Sequence, residues 1–165
     1  MKTLILDHQQ IAQKIQRIAH EIYEYNFEEK ELIIAGIADR GYTLAERINK
    51  ELLKISPIKT QLLSLKVDKE KQIISTVKLD LNPDLLKNKV VLLVDDVLNT
   101  GRTLSYAVYP FLEHEIKKLA TVVLIDRNHN LIPIRADYVG LQLATTLKEH
   151  VSVEFAEGKD AAYLS

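Results

Sequence analysis

The chain has 165 residues, a net charge of −1, a sequence pI near 6.5 and no cysteine. That length suits one domain with a buried core, and the charge balance offers no bulk basic field to nucleic acid. The missing cysteine excludes disulfides, thiol catalysis and cysteine-ligated metals and suits a reducing cytoplasm, while no run reaches signal-peptide or membrane-span proportions. With no internal repeat or linker, the expectation is a soluble single domain over residues 1–165 in the cytoplasm.

Asp7 stands three positions before Gln10, a capping-box spacing, and a helix follows to about Asn26. Ile11, Ile15, Ile18, Ala19 and Ile22 share one face of it, with Gln13, Lys14, Arg17 and His20 away from that face. Glu31 to Ala35 reads as a strand, Gly36 to Gly41 as a loop, and Tyr42 to Lys54 as a second helix broken by Ser56-Pro57. Residues 58–65 read as a strand, Asp68 to Gln72 as a charged turn and 73–79 as a returning strand. Val90 to Val94 is a short β-branched apolar run of the kind buried on both faces of a parallel sheet. A helix starts near Arg102 or Thr103, and Pro110 should kink it or end it early. Ala120 to Ile125 is another buried strand, and two short strands are expected at 137–141 and 151–155. Strands alternating with helices predict a parallel α/β sheet.

The chemistry concentrates where the Val90 strand ends. Asp95 and Asp96 come first, then a small hydroxyl-bearing loop, Asn99-Thr100-Gly101-Arg102-Thr103. Ligands of open α/β sheets bind beyond the carboxyl ends of strands. The free N–H groups of the following helix and the Thr100 and Thr103 hydroxyls suit a phosphate, and paired acids suit sugar hydroxyls. A sugar phosphate fits both. The second strand-to-helix junction, GIADRGYT from Gly36 to Thr43, nearly matches a nucleotide-binding P-loop but has Tyr42 in place of the lysine that such a loop needs against β- and γ-phosphates. Its remaining physical content is an anion-facing turn with the Arg40 fork beside it. LLVDDV also looks like the start of a bacterial receiver domain, but there the paired acids follow the first strand, and here about 90 residues precede them.

VVLLVDDVLNTGRT resembles the phosphoribosyl-diphosphate signature of the type I phosphoribosyltransferases. The flanking blocks ILDHQQIAQKIQRIAHEIYEYN, GIADRGYTLAERI and IDRNHNLIPIRADYVG resemble the branch of bifunctional pyrimidine-operon attenuators and uracil phosphoribosyltransferases. The resemblance implies a parallel-sheet type I phosphoribosyltransferase fold with helices on both faces and a small hood. It implies that Asp95 and Asp96 hold the ribose hydroxyls, that Val97, Leu98, Asn99, Thr100, Gly101, Arg102 and Thr103 cradle the phosphoribosyl group, and that Ala38, Asp39, Arg40 and Gly41 form the pyrophosphate loop. Arg40 would join the two acids in catalysis, Asp126 and Arg127 would lie near the base, and Mg2+ would bridge diphosphate and ribose oxygens near Asp95 and Asp96. The partners implied are phosphoribosyl diphosphate, a nucleobase or nucleotide, and a second copy of the chain in a homodimer.

Two departures accompany the resemblance. The stretch QLLSLKVDKEKQ replaces a longer excursion carrying an aspartate, a tyrosine and an arginine, so the lid is reduced. Asn99 stands where the attenuators usually have tyrosine. Two functions remain open: a phosphoribosyltransferase with uracil as the first candidate base, or a regulator that binds a nucleotide or phosphoribosyl diphosphate with little turnover. Lys14, Arg17 and His20 form a possible RNA face, against the plainer reading of a solvated mixed face. His20 and His129 lack a second histidine at metal-ligand spacing, and His8, His114 and His150 carry no pattern.

Overall fold

The computed structural model describes residues 1–67, 82–146 and 148–165. The elements run β1 (Thr3–Leu6), α1 (His8–Asn26), β2 (Glu31–Ile37), α2 (Ala38–Ile55), β3 (Lys59–Leu65), β4 (Val90–Leu98), α3 (Arg102–Leu112), β5 (Lys118–Asp126), β6 (Tyr138–Gln142), β7 (Val151–Glu154) and β8 (Ala161–Leu164), with a 3-10 turn at Pro83–Leu85. The turn and strand expected at 68–72 and 73–79 fall outside the described residues.

Five strands form a parallel sheet in the order β3-β2-β4-β5-β6. The chain leaves β2 toward β3, then returns to lay β4 on the other side of β2, so the strand order reverses between β2 and β4. Crossovers of one hand running in opposite directions place their helices on opposite faces. Accordingly α1 and α2 cover Leu32, Ile34, Leu92, Val94 and Leu124, while α3 covers Ile33, Ala35, Val91, Leu93 and Val123. Each of these leucine, isoleucine and valine side chains, fully withdrawn from water, contributes roughly 1.5–3 kcal/mol. The α/β architecture with helices on both faces is the one expected.

Helix α1 follows its sequence pattern closely. Gln10 N–H donates to Asp7 Oδ1 at 2.8 Å, the Gln10 side chain accepts from Asp7 N–H at 2.9 Å, and the five expected apolar residues are buried. Helix α2 differs. It begins at Ala38, not near Tyr42, and Gly36 and Ile37 complete β2. The two glycines are there for close approach: a Cβ on Gly36 would lie 2.3 Å from Tyr42 Cα, and one on Gly41 2.7 Å from the Val94 carbonyl oxygen. The expected loop is therefore a strand end joined directly to a helical turn, through Ala38 at φ 53°. Pro110 sits in the last turn of α3, which ends two residues later at Leu112.

The sequence pattern does not announce β1 or β8. They pair antiparallel, Thr3 opposite Leu164, and β7 joins β8 to complete a three-stranded sheet, the small hood. A buried carboxylate holds this sheet to the helices. Asp160 accepts from the Arg47 guanidinium and from Ala156 N–H at 3.0 Å, and His8 Nδ1 lies 3.0 Å from it. Arg47 also stacks on the Phe155 ring at 4.7 Å. Burial would raise the Asp160 pKa, but the Arg47 hydrogen bond and charge, with Ala156 N–H and His8, hold it below the ordinary carboxylate value.

Candidate active site

The reversal of strand order between β2 and β4 is where an open α/β sheet opens a crevice. Pairing of Gly36 with Val94 brings the end of β2 level with Asp95, while β4 runs on to Leu98, so Ala38 of α2 comes beside Asp95 and Asp96 of β4. A cleft of ≈ 370 Å³ opens there, lined by Ile37, Ala38, Asp39 and Arg40 on one side, by Asp95, Asp96, Val97, Asn99 and Thr103 on another, and by Arg127, His150 and Val151. The two expected anion loops thus meet in one cavity although about 60 residues separate them in sequence.

Both helices that reach the cleft lack a side-chain cap. Neither Ile37 before α2 nor Gly101 before α3 supplies a capping hydrogen bond, whereas α1, whose N-terminus is elsewhere, carries a full capping box. The first N–H groups of a helix need partners, and uncapped they carry partial positive charge toward an anion. Gly101 takes φ 90°, and a Cβ there would lie 2.6 Å from Ile134 Cγ2, so the turn before α3 requires glycine. Leu131 and Ile132 N–H groups hold the Thr100 carbonyl from below at 2.9 and 3.2 Å. Thr100 Oγ1 accepts from Arg102 N–H at 3.4 Å.

The acids differ in setting. Asp95 is 9% exposed and its Oδ1 accepts from Asp96 N–H at 2.9 Å. Asp96 lies 3.9 Å from the Arg40 guanidinium, which is largely exposed. So loose a pair leaves Arg40 able to swing onto a ligand at small cost.

Not every expected residue faces the cleft. Leu98 is buried against the α3 side of the core, and its carbonyl accepts from Arg127 N–H at 3.0 Å. Gly41, Thr100, Gly101 and Arg102 stand behind or beside the lining. Asp126 is buried and accepts from Asn128 N–H at 2.8 Å, shaping the turn after β5 and not the cleft wall. Arg127 lines the cleft, yet its guanidinium is committed to Asn99, Thr145, Thr146 and Glu149. Thr146 N–H and its hydroxyl hold the Glu149 carboxyl below its ordinary pKa, with a smaller pull from Arg127. On α1, Arg17 donates to the Val139 and Gly140 carbonyls at 2.7 and 2.6 Å, closing the exposed edge of β6. Of the possible RNA face, Lys14 is half-buried and His20 exposed. His150 and Val151 are the lining residues that the sequence did not single out; they reach the cleft only because β7 pairs with β8. Among the described residues no group of three His, Cys, Asp or Glu is placed to cage a metal. No helix among them is long and apolar enough to cross a membrane.

Residues 2–157 match the family model of the phosphoribosyl transferase domain. The chain belongs to the type I phosphoribosyltransferases. It is similar to the Bifunctional protein PyrR of Clostridium kluyveri, 37% identical over 163 residues that cover 95% of this chain and 92% of that one. It is 41% identical to the protein of the same name from Staphylococcus epidermidis over 168 residues, covering 95% and 94%. These relatives place this phosphoribosyltransferase in the PyrR branch. A hypoxanthine-guanine phosphoribosyltransferase from Bacillus anthracis superposes with a TM-score of 0.73 at 19% identity over 87% of this chain and 83% of that one. The Trypanosoma cruzi hypoxanthine phosphoribosyltransferase, solved with its product IMP, gives 0.70 at 18% identity over 85% and 75%. Identity that low speaks to the fold alone.

Proposed function

We propose that the cleft transfers the phosphoribosyl group of phosphoribosyl diphosphate to a nucleobase, uracil being the first candidate, and releases pyrophosphate. The observation that carries this reading is the meeting, in one cleft with adjacent carboxylates, of two helix N-termini whose cap residues supply no side-chain hydrogen bond. A ligand matched to it has anionic groups at two ends and hydroxyls between. Asp95 and Asp96 accept the ribose hydroxyls. The N–H groups at 100–103 and the Thr103 hydroxyl hold the 5-phosphate. The N–H groups at 38–41, with Arg40, hold the diphosphate. The wall of His150 and Val151 faces the base.

The reaction needs no side-chain nucleophile. A ring nitrogen of the base attacks C1 as the bond from C1 to the diphosphate oxygen breaks, with oxocarbenium character between, and the proton of that nitrogen leaves to solvent or to the departing pyrophosphate. The protein aligns base, C1 and leaving oxygen, and its fixed donors meet charge growing on the diphosphate. Magnesium suits the donor set, since it takes one or two carboxylates and completes its shell with substrate oxygens; Asp95 and Asp96 are the residues that would hold it. When bound it neutralises charge on the leaving group.

The chain is read as one phosphoribosyltransferase domain acting as a homodimer. Incubation with uracil, phosphoribosyl diphosphate and magnesium should yield the nucleotide and pyrophosphate, and a panel of other bases should define preference. Binding of phosphoribosyl diphosphate without turnover of any base would assign the cleft to a nucleotide-sensing regulator instead.

A further inference from the structure

Arg127 is an arginine 4% exposed at the wall of a polar cleft, and the oxygens that hold it come from two separate parts of the chain. On one side Nη1 donates to Asn99 Oδ1 at 2.7 Å, in the phosphate loop. On the other, Nε donates to Thr145 Oγ1 at 3.2 Å, and Nη2 to the carbonyls of Thr146, at 3.3 Å, and Glu149. Thr145 Oγ1 returns a bond to the Arg127 carbonyl at 3.3 Å. Glu149, so gripped, directly precedes His150 and Val151, which line the same cleft as the acids. All four acceptors are neutral oxygens. Only a planar fork with donors on three nitrogens spans both sides at once.

We propose that Arg127 is a positioning residue: its guanidinium is a strut that sets the distance between the phosphate loop at Asn99 and the group of Thr145, Thr146 and Glu149, the last of which leads into the His150–Val151 wall. The ligands that probe the strut are chosen on the phosphoribosyl reading of the cleft. A ligand that spans both sides, a nucleoside 5′-monophosphate, depends on the strut. A ligand that touches only the phosphate side, ribose 5-phosphate, does not. Direct contact of Arg127 with the phosphate would weaken both alike.

The strut is tested first without ligand. In Asn99→Ala the cut is made on the phosphate loop, and amide hydrogen exchange at Glu149 to Val151, across the cleft, should quicken by about threefold or more, the loss expected of one hydrogen bond. Unchanged exchange there overturns the proposal. Calorimetry with UMP and with ribose 5-phosphate comes next. Arg127→Met should weaken UMP about tenfold or more, with ribose 5-phosphate changed less than about threefold. Thr145→Val, which touches no lining residue of the phosphate side, should weaken UMP in the native background and have a smaller effect beside Arg127→Met, where only its bond to the backbone carbonyl at 127 is left to lose. Equal losses for both ligands, or a Thr145→Val effect undiminished beside Arg127→Met, overturn it. Should Arg127→Met fail to fold, the two single-arm variants and their double mutant carry the same comparison, with less than additive losses expected. Failure of the native protein to bind either ligand would refute the phosphoribosyl reading, while the exchange result would still decide the strut.

Discussion

Replacing Asp160 with asparagine removes the charge that holds the small sheet onto α1 and α2. The carboxylate side chain is 1% exposed; it accepts from Arg47 and from Ala156 N–H, and His8 Nδ1 lies 3.0 Å from it. Removing one partner of a buried ion pair costs about 3–5 kcal/mol. Asparagine keeps an oxygen for Ala156 N–H, and Arg47, 30% exposed, can regain water, so about 2–3 kcal/mol is expected at neutral pH. For a chain of this length that lowers the melting temperature by about 4–12 °C. The pH dependence follows from the depressed folded-state pKa. The stabilisation is complete above the ordinary value of 3.8 and is lost as pH falls through the lower folded-state value. Urea unfolding of both proteins from pH 7 down to the acid limit of folding checks this. The gap should stay constant to about pH 5 and close below about pH 4. A gap under about 0.5 kcal/mol at pH 7, or one that widens in acid, would refute the reasoning.

Asp95→Asn and Asp96→Asn should each weaken binding of magnesium phosphoribosyl diphosphate by about tenfold or more, seen by calorimetry; unchanged affinity would mean the acids serve the fold. Gly36→Ala places a methyl against the backbone of Tyr42 and should cost about 1–3 kcal/mol or more in urea unfolding, since backbone cannot rotate aside. Asp7→Ala removes the capping oxygen of α1 and should cost about 1 kcal/mol with no change in ligand affinity, because that helix end lies outside the cleft lining.

Several features were legible because their signals are local. The apolar run at Val90, the acids after it and the threonine-glycine loop each specify their own neighbourhood. Together they placed a strand and a helix N-terminus close to where the structure has them, although β4 does not stop at Val94 but runs on through both acids to Leu98. Helix α1 was equally plain, its cap and its apolar stripe agreeing. The junction at Gly36 to Gly41 was located but misread. Glycines suggest a loop, and here they exist because α2 begins at once and its first turn presses on β2 and β4. That reason lies in residues six and more than fifty positions away.

The sequence by itself determined the acid pair and the threonine-glycine loop beside it, because both are built from consecutive residues. Tertiary structure alone decided which side chains complete the cleft. His150 and Val151 arrive through the pairing of β7 with β8, itself dependent on β1 at the far end of the chain. Arg127, expected beside the base, spends its donors on oxygens 18 to 28 residues distant. Arg17, expected on an open face, closes a sheet edge more than 120 residues away. A hydrogen bond takes whichever acceptor the fold brings near, so a polar side chain's task is set by packing that no local pattern records.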